Sequence, residues 1–267
     1  MTFIENYLDL PNRVGKPRRV GLTMAIDKGT PRHLFADIIE SESEYVDFVK
    51  FGWGTSIVDK FLKEKMAVLR AAGVDFYFGG TLFEKYILQG RFTEFRDMCW
   101  YYDCQYVEVS NGTIDLSDAR KSAYVAELAK DFKVISEVGS KDQLKSENMA
   151  PNKWIGYISD DLDAGATLVT LEAREGGRSG LCRANGDLRI GLVEEILTSG
   201  LDVDRLLFEA PSVDLQNYFV KRLGPTVNLG NVALADLVGL ETIRLGLRSE
   251  TLLEFEPLNF DSHRIGI

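Results

Sequence analysis

The stretch VDFVKFGWGT, residues 46–55, joins a short apolar run to an abrupt glycine turn. Its apolar side chains, at 46, 48, 49 and 51, form a run of the length expected for a strand buried on both faces. Gly52-Trp53-Gly54 ends that strand, and the amphipathic pattern from Ile57 to Ala72 predicts a helix after it. Ser56, with Asp59 three residues later, marks the expected helix start. The stretch therefore predicts a strand–turn–helix unit with Lys50 at the carboxyl end of its strand.

This end of the unit has two interpretations. Lys50, with the free N–H groups around Gly52 and the following helix start, can bind an anion. Alternatively, Lys50 pairs with a neighbouring carboxylate inside the protein. The sequence of the unit alone does not favour either one.

The same unit recurs along the chain and predicts the fold. Strands are predicted over residues 20–26, 46–51, 74–78, 106–109, 133–136, 167–171, 205–208 and 226–229, each followed by a helical pattern. Eight such units with continuous apolar strands predict an α/β fold, a single (β/α)8 TIM barrel. The alternative is a doubly wound open sheet, which the lack of a Rossmann glycine fingerprint and of a Walker sequence disfavours.

The 267 residues suit one large domain. We expect a short N-terminal leader over 1–19, a barrel catalytic domain over 20–248 and a C-terminal extension over 249–267. The leader is broken by Pro11, Gly15 and Pro17, and no linker divides the rest.

Composition excludes several classes of protein. A net charge of −10 argues against nucleic-acid binding, which needs a basic face. No signal peptide is apparent, and no apolar run approaches the roughly 20 residues of a membrane span. Three cysteines, an odd number, fit reduced thiols, so we expect a cytoplasmic protein. Two histidines leave little scope for histidine-based zinc or iron sites.

Polar residues gather where the predicted strands end, which in a barrel of this kind is the functional face. They are Asp27, Lys28, Lys50, Glu108, Asn111, Glu137, Glu172, Arg174, Glu209 and Asn228. Carboxylates converging on one rim are hard oxygen ligands that suit Mg²⁺. Each of them alone is more often part of a structural ion pair, but as a set they predict a site.

Two further segments suggest phosphate binding. The sequence from Asn228 to Asn231 joins the last predicted strand to a helix, and Asn231 is a plausible N-cap there. The loop over residues 176–180, rich in glycine and containing arginine, is either a lid over an anion or an ordinary surface loop.

The strand ends resemble those of one known family. The motifs are GLTMAIDKG (21–29), DFVKFGWGTS (47–56), VEVSNGT (107–113), ISEVG (135–139), LDAGA (162–166), FEAP (208–211) and VNLGNV (227–232). In this order they resemble the phosphosulfolactate synthase family, over roughly residues 16–250.

The resemblance implies a (β/α)8 barrel that adds sulfite to phosphoenolpyruvate with Mg²⁺, giving (2R)-phospho-3-sulfolactate. In archaeal members this reaction opens a route to coenzyme M. Bacterial relatives are linked to sulfolactate metabolism and plant relatives to heat tolerance. The implied partners are small anions, with no nucleic acid and no membrane, and we expect a homo-oligomer because barrels of this size commonly associate.

Roles follow from combining the resemblance with the strand ends. The expected metal ligands are Glu108, Glu137 and Glu172, then Asp27 and Glu209. Lys28 and Lys50 are expected to bind the substrate anions. The expected substrate-binding residues are Arg174, Asn111, Asn228, Gly230 and Gly52, with phosphate assigned to Arg174, Asn228 and Gly230.

The proton donor is the point at which the sequence departs from the family pattern. The family commonly continues ISEVG with lysine, whereas this chain has Ser140 and then Lys141. Three interpretations stay open: Lys141 takes the role, Lys50 or Lys28 takes it, or activity is altered. Two alternatives to the whole assignment also stay open, a non-catalytic relative that serves protein interaction and another enolate-forming lyase acting on phosphoenolpyruvate.

Overall fold

A computed structural model describes residues 8–173 and 176–255 of the chain. The strands in these ranges are β1 (Thr23–Asp27), β2 (Phe48–Phe51), β3 (Asp75–Phe78), β4 (Tyr106–Val109), β5 (Lys133–Val138), β6 (Ala166–Leu171), β7 (Leu206–Glu209) and β8 (Leu229–Ala233). The α-helices are α1 (Arg32–Glu42), α2 (Thr55–Val58), α3 (Leu62–Ala71), α4 (Gly80–Leu88), α5 (Phe92–Tyr101), α6 (Asp118–Leu128), α7 (Gln143–Asn148), α8 (Pro151–Asp163), α9 (Ile190–Leu197), α10 (Val213–Leu223) and α11 (Leu237–Arg244).

The eight strands form one sheet in the order β3-β2-β1-β8-β7-β6-β5-β4. Every pairing in it is parallel. β3 and β4, at the two ends of this order, lie beside each other, so the sheet nearly closes on itself. Parallel neighbours require a crossover, which the intervening helices supply. The predicted (β/α)8 barrel is confirmed.

Side chains of successive strand residues alternate between the inside of the barrel and the helix-facing side. An apolar cluster fills the inside and comprises Leu22, Met24, Phe48, Tyr77, Tyr106, Ile135, Leu168 and Leu207. Two residues further along several of these strands, the inward position is charged: Lys50, Glu108, Glu137 and Glu209. Because all strands point the same way, this charged layer lies at their carboxyl ends.

Two predicted elements differ from the observed ones by more than a shift of their ends. The strand predicted over 226–229 is β8, Leu229–Ala233, because Gly224 ends α10 with a positive φ of 86° and residues 225–226 form a turn. The helix predicted over 57–72 is divided into α2 and α3. Asp59 lies between them in an extended conformation, with its side chain accepting from the N–H of Phe61 (2.8 Å) and pairing with Lys65 (2.6 Å).

The amino end of the barrel is closed by side chains of the leader and of α11. Arg13 pairs with Glu241 at 2.8 Å, and Arg18 pairs with Asp47 at 3.0 Å. Arg244 donates to the carbonyl of Val227 at 2.7 Å. These arginine side chains donate to backbone carbonyls and cover the amino end. The carboxyl end is therefore the open face.

Candidate active site

A cavity of about 860 Å³ lies at the carboxyl end of the barrel. Inward side chains of the strands and the loops after β3, β4 and β5 line it. It brings together six of the residues predicted for the site: Lys50, Asn111, Glu137, Lys141, Glu172 and Glu209. Parallel strands that end at one rim explain why residues so far apart in sequence meet here.

Lys50 lies at the centre of the charged layer. Its Nζ is 2.9 Å from Glu108 Oε1, 3.4 Å from Glu137 Oε2 and 3.8 Å from Glu209 Oε1. Burial alone would lower the pKa of Lys50, but these three carboxylates raise it well above its ordinary value. Lys50 is therefore an ammonium group that both forms the ion pairs anticipated for it and faces the cavity.

Glu137 is held between two lysines. Lys141 Nζ lies 3.4 Å from Glu137 Oε1, while Lys50 approaches the other carboxylate oxygen. Burial opposes ionisation of Glu137, but the attraction of Lys141 and then of Lys50 outweighs it and lowers the pKa to about 2. Glu137 is thus ionised at neutral pH.

Glu172 and Glu209 have the opposite tendency. Burial raises the pKa of Glu172 well above its ordinary value, and the nearby Glu137 adds to the shift. Burial also raises the pKa of Glu209, to about 7, although Lys50 opposes it. In both groups, burial beside other carboxylates opposes ionisation, because the described part of the site has more carboxylates than ammonium groups to balance them.

Lys141, the residue after Ser140, lines the cavity. Its side chain is 22% exposed, and its Nζ donates to Thr81 Oγ1 at 3.3 Å. Its backbone N–H donates to the carbonyl of Gly112 at 3.0 Å, which ties the loop after β5 to the loop after β4. Ser140 also lines the cavity, and its carbonyl accepts from Ser179 Oγ at 2.7 Å. The departure from the family pattern therefore leaves an ammonium group in the cavity.

Glycines make room for Glu172. A Cβ at Gly180, whose φ is +65°, would lie 1.7 Å from the carbonyl oxygen of Glu172. A Cβ at Gly139 would lie 2.6 Å from Glu172 Cβ. Only glycine permits this close approach. Glu172 Oε2, buried beside them, has no hydrogen-bond partner among the described residues.

Asn231 is a site residue that the sequence analysis placed wrongly, as a helix N-cap. It lies within β8, has a left-handed φ of 53° and lines the cavity. Its Nδ2 donates to Glu209 Oε1. Trp53, with a φ of 50°, also lines the cavity and was overlooked as a site residue. The sequence signal was the Asn or aromatic residue beside glycine, since strained backbone of this kind concentrates at functional sites.

Three predicted residues lie outside the cavity lining near β1 and β2. Asp27 is buried in an ion pair with Lys65 (2.7 Å) and accepts from the N–H groups of Gly29 and Thr30. Lys28 is exposed. Gly52 packs against β1 and donates to the carbonyl of Asp27 at 2.9 Å. Asp27 therefore forms a structural ion pair, which was the alternative interpretation of each strand-end carboxylate in the sequence.

The remaining predicted residues have other placements. Asn228 lies at the amino end, where its Oδ1 accepts from the N–H of Leu22 at 3.0 Å, so its expected position at the carboxyl rim is wrong. Gly230 faces the barrel interior beside Met24. Glu108 lies beneath the cavity, bound to Lys50 and to the N–H of Gly80. Arg174 lies outside the described residues.

The site has the chemistry of a divalent cation site without a complete preformed cage. Among the described residues, no three His, Cys, Asp or Glu side chains converge closely enough to hold a metal ion. Mg²⁺ commonly uses one or two carboxylates together with water and substrate oxygens. The unpartnered, buried Oε2 of Glu172, in a cavity also lined by Glu137 and Glu209, fits such an ion.

The lysines and carboxylates at this end of a (β/α)8 barrel define a barrel enzyme whose site handles small charged molecules. Residues 11–250 match the model of the family described as (2R)-phospho-3-sulfolactate synthase (ComA). The chain belongs to this family, as the strand-end motifs indicated. None of the described helices is long and apolar enough to cross a membrane.

Individual relatives agree with this assignment. The chain is 47% identical over 244 residues to Phosphosulfolactate synthase of Bacillus subtilis (strain 168), covering 91% of this chain and 97% of the relative. It is 40% identical over 247 residues to Phosphosulfolactate synthase of Methanothermobacter thermautotrophicus, with 91% and 95% covered. Among solved structures, 3-hexulose-6-phosphate synthase from Salmonella typhimurium matches with a TM-score of 0.54 at 13% identity, covering 85% of this chain and 100% of that one, which supports the fold alone.

Proposed function

We propose that the protein adds sulfite to C3 of phosphoenolpyruvate and forms (2R)-phospho-3-sulfolactate, with Mg²⁺ at the cavity carboxylates. The observation that carries the proposal is the pair of ammonium groups, Lys50 and Lys141, on either side of the Glu137 carboxylate in a cavity of this family. Two anions must meet in this reaction, and fixed cations reduce their repulsion.

The chemistry balances without a covalent enzyme intermediate. The sulfur lone pair of sulfite forms a bond to C3, and the C2–C3 double-bond electrons move into the carboxylate as an enediolate. A proton then reaches C2, and the phosphate ester stays intact. The three cysteines are buried and have no place in this sequence of steps.

Lys141 is our proton donor. Its ammonium group is partly exposed within the cavity, and burial, which would lower its pKa, is outweighed by Glu137, Glu172 and Glu84, which raise it. An enediolate carbon is far more basic than an amine, so transfer from Lys141 remains favourable. Lys50, which is more deeply buried than Lys141 but also lines the cavity, serves to bind the substrate anions and to keep Glu137 ionised.

Among the predicted ligands, Glu172, whose Oε2 has no hydrogen-bond partner among the described residues, is the carboxylate that would contact the metal, and Glu137 and Glu209 line the same cavity. Bound Mg²⁺ supplies Lewis-acid stabilisation of negative charge on the substrate carboxylate. Glu108 and Asp27, which the sequence also suggested, do not line the cavity and are paired with Lys50 and Lys65.

Product identification tests the proposal. The purified protein is incubated with phosphoenolpyruvate, sulfite and Mg²⁺, and the product is analysed by mass spectrometry and phosphorus NMR. We expect a species that contains both the sulfonate and the original phosphate ester. Release of inorganic phosphate, or an adduct formed only with another nucleophile, would contradict the proposal. A cytoplasmic location and a homo-oligomeric state stay predictions, the latter to be measured by light scattering.

A further inference from the structure

Asn231 is presented to the cavity by a bulge in β8. On the β1 side, Thr23 pairs with Leu229 and Ala25 pairs with Val232, so β8 uses one residue more than β1 over this interval. Asn231 lies in the extra length with a φ of 53°, a conformation that asparagine tolerates better than most residues. The bulge turns a residue of a regular strand toward Glu209.

The orientation of its amide follows from its partner. Nδ2 donates to Glu209 Oε1; with Glu209 ionised, the reversed amide would place two acceptor oxygens against each other. Glu209 Oε2 accepts from the N–H of Ala173 at 2.8 Å, so both carboxylate oxygens are held. Asn231 Oδ1 is left buried with no hydrogen-bond partner among the described residues, and the residue is only 6% exposed.

The Oδ1 atom can therefore accept a hydrogen bond or bind a cation. Asn231 lines the cavity together with Glu172, whose Oε2 is also without a partner. Sulfite and the phosphate and carboxylate groups of phosphoenolpyruvate are acceptors and do not satisfy an amide oxygen. A divalent cation, or a water bound to it, can satisfy such an oxygen.

We propose that Asn231 is a contact of the divalent cation, through its Oδ1, on the β6–β8 side of the cavity. The inference deepens the proposed function, since it concerns the same ion. Asn231 has two tasks in this arrangement. Its Nδ2 fixes Glu209, and its Oδ1 contacts the cation as a neutral oxygen, either directly or through a metal-bound water.

A titration of metal-free protein with Mn²⁺ tests the inference without measuring turnover. The EPR signal of free Mn²⁺ reports the affinity, with and without phosphoenolpyruvate. Asn231→Gly keeps the left-handed backbone but lacks the amide, and we expect about tenfold weaker binding or more. Asn231→Asp keeps an oxygen at this position, and we expect binding at least as tight as in the wild type. Asp103→Gly, at a φ of 52° away from the cavity lining, is the matched control and is expected to bind like the wild type.

Each outcome bears on the inference. Equal affinity of Asn231→Gly and the wild type overturns it, as does binding by Asn231→Asp that is weaker than that of Asn231→Gly. A wild type that binds no Mn²⁺ in either condition overturns both the inference and the metal requirement. A wild type that binds Mn²⁺ as described but makes no sulfonate product refutes the proposed function and leaves the Asn231 contact supported.

Discussion

Glu137 lies 3.4 Å from Lys50 Nζ through one carboxylate oxygen and 3.4 Å from Lys141 Nζ through the other. Glu137 lies on β5, Lys50 lies on β2, and Lys141 is in the loop after β5. The Glu137 carboxylate therefore joins the centre of the barrel to the cavity wall. It is the ionised link between the enclosed lysine and the partly exposed one. Removal of either lysine is therefore expected to change the site in a different way.

Lys50→Met is expected to impair both folding and catalysis. The substitution leaves Glu108, Glu137 and Glu209 without their shared cation, and loss of one partner from a buried ion pair costs about 3 kcal/mol. Chemical denaturation should show that loss in the free energy of unfolding, and activity should be undetectable. Lys28→Met is the control, because Lys28 is exposed. A loss of activity in Lys28→Met with full activity in Lys50→Met would contradict the site as described.

Lys141→Met is expected to reduce kcat by about 100-fold or more, the usual contribution of a positioned proton donor. Stability should change less than in Lys50→Met, because the Lys141 side chain is 22% exposed. Steady-state kinetics against Lys145→Met, an exposed lysine that also lines the cavity, separates a proton-donor role from general positive charge. Equal effects of the two substitutions would argue against Lys141 as the donor.

Glu172→Gln tests the unpartnered carboxylate. Burial raises the pKa of Glu172 well above its ordinary value and so favours its neutral form, which glutamine resembles in shape; the substitution should leave stability unchanged or slightly raised. The rise in Tm on adding Mg²⁺ should be smaller than in the wild type, because a ligand oxygen is lost. Thermal unfolding with and without Mg²⁺ measures both. An undiminished rise in Tm would remove Glu172 from the ligand set.

The raised pKa of Glu209 predicts how the stability of metal-free protein depends on pH. Its pKa is about 7 in the folded state against an ordinary value of 4.5, so the folded state holds more protons than the unfolded chain between these values. Stability therefore falls as pH rises through this window. Glu137, whose pKa is lowered, acts only below it. Tm measured across the window should fall less in Glu209→Gln, and a steeper fall in that variant would contradict the assignment.

Asn228→Ala tests the correction made at the amino end of the barrel. Its side chain satisfies the N–H of Leu22 (3.0 Å) and the carbonyls of Asp204 (2.9 Å) and Leu206 (3.1 Å). Loss of these bonds is expected to cost about 2 kcal/mol of stability. The KM for phosphoenolpyruvate and kcat should stay unchanged below the unfolding temperature. A raised KM would restore the phosphate-binding role expected from the sequence.

The barrel could be predicted from the sequence because its strands are continuous apolar runs with clear periodicity. The alternation also extends to the site: Tyr106 precedes Glu108, Ile135 precedes Glu137 and Leu207 precedes Glu209, each by two positions on the inward face. A charged residue two positions after an inward apolar residue at a strand end therefore indicates the cavity layer.

The remaining features depend on long-range geometry. Asp27 and Glu137 look alike at their strand ends, but Lys65 on α3 holds Asp27 in an ion pair away from the cavity lining. The Gly-Asn pair in β8 has the composition of a turn, yet pairing with β1 makes it a bulge within the strand. Neither the partner of Asp27 nor the bulge is encoded in local sequence, so Asp27 was assigned to the site and Asn231 to a helix N-cap.

Consumption of phosphoenolpyruvate by wild-type protein, measured as a function of sulfite concentration with Mg²⁺ and again with excess chelator, tests the central claim most directly. The account predicts consumption that saturates with sulfite, requires the metal and matches formation of the phosphosulfonate one for one. Consumption that is independent of sulfite, or unaffected by removal of the metal, would contradict it.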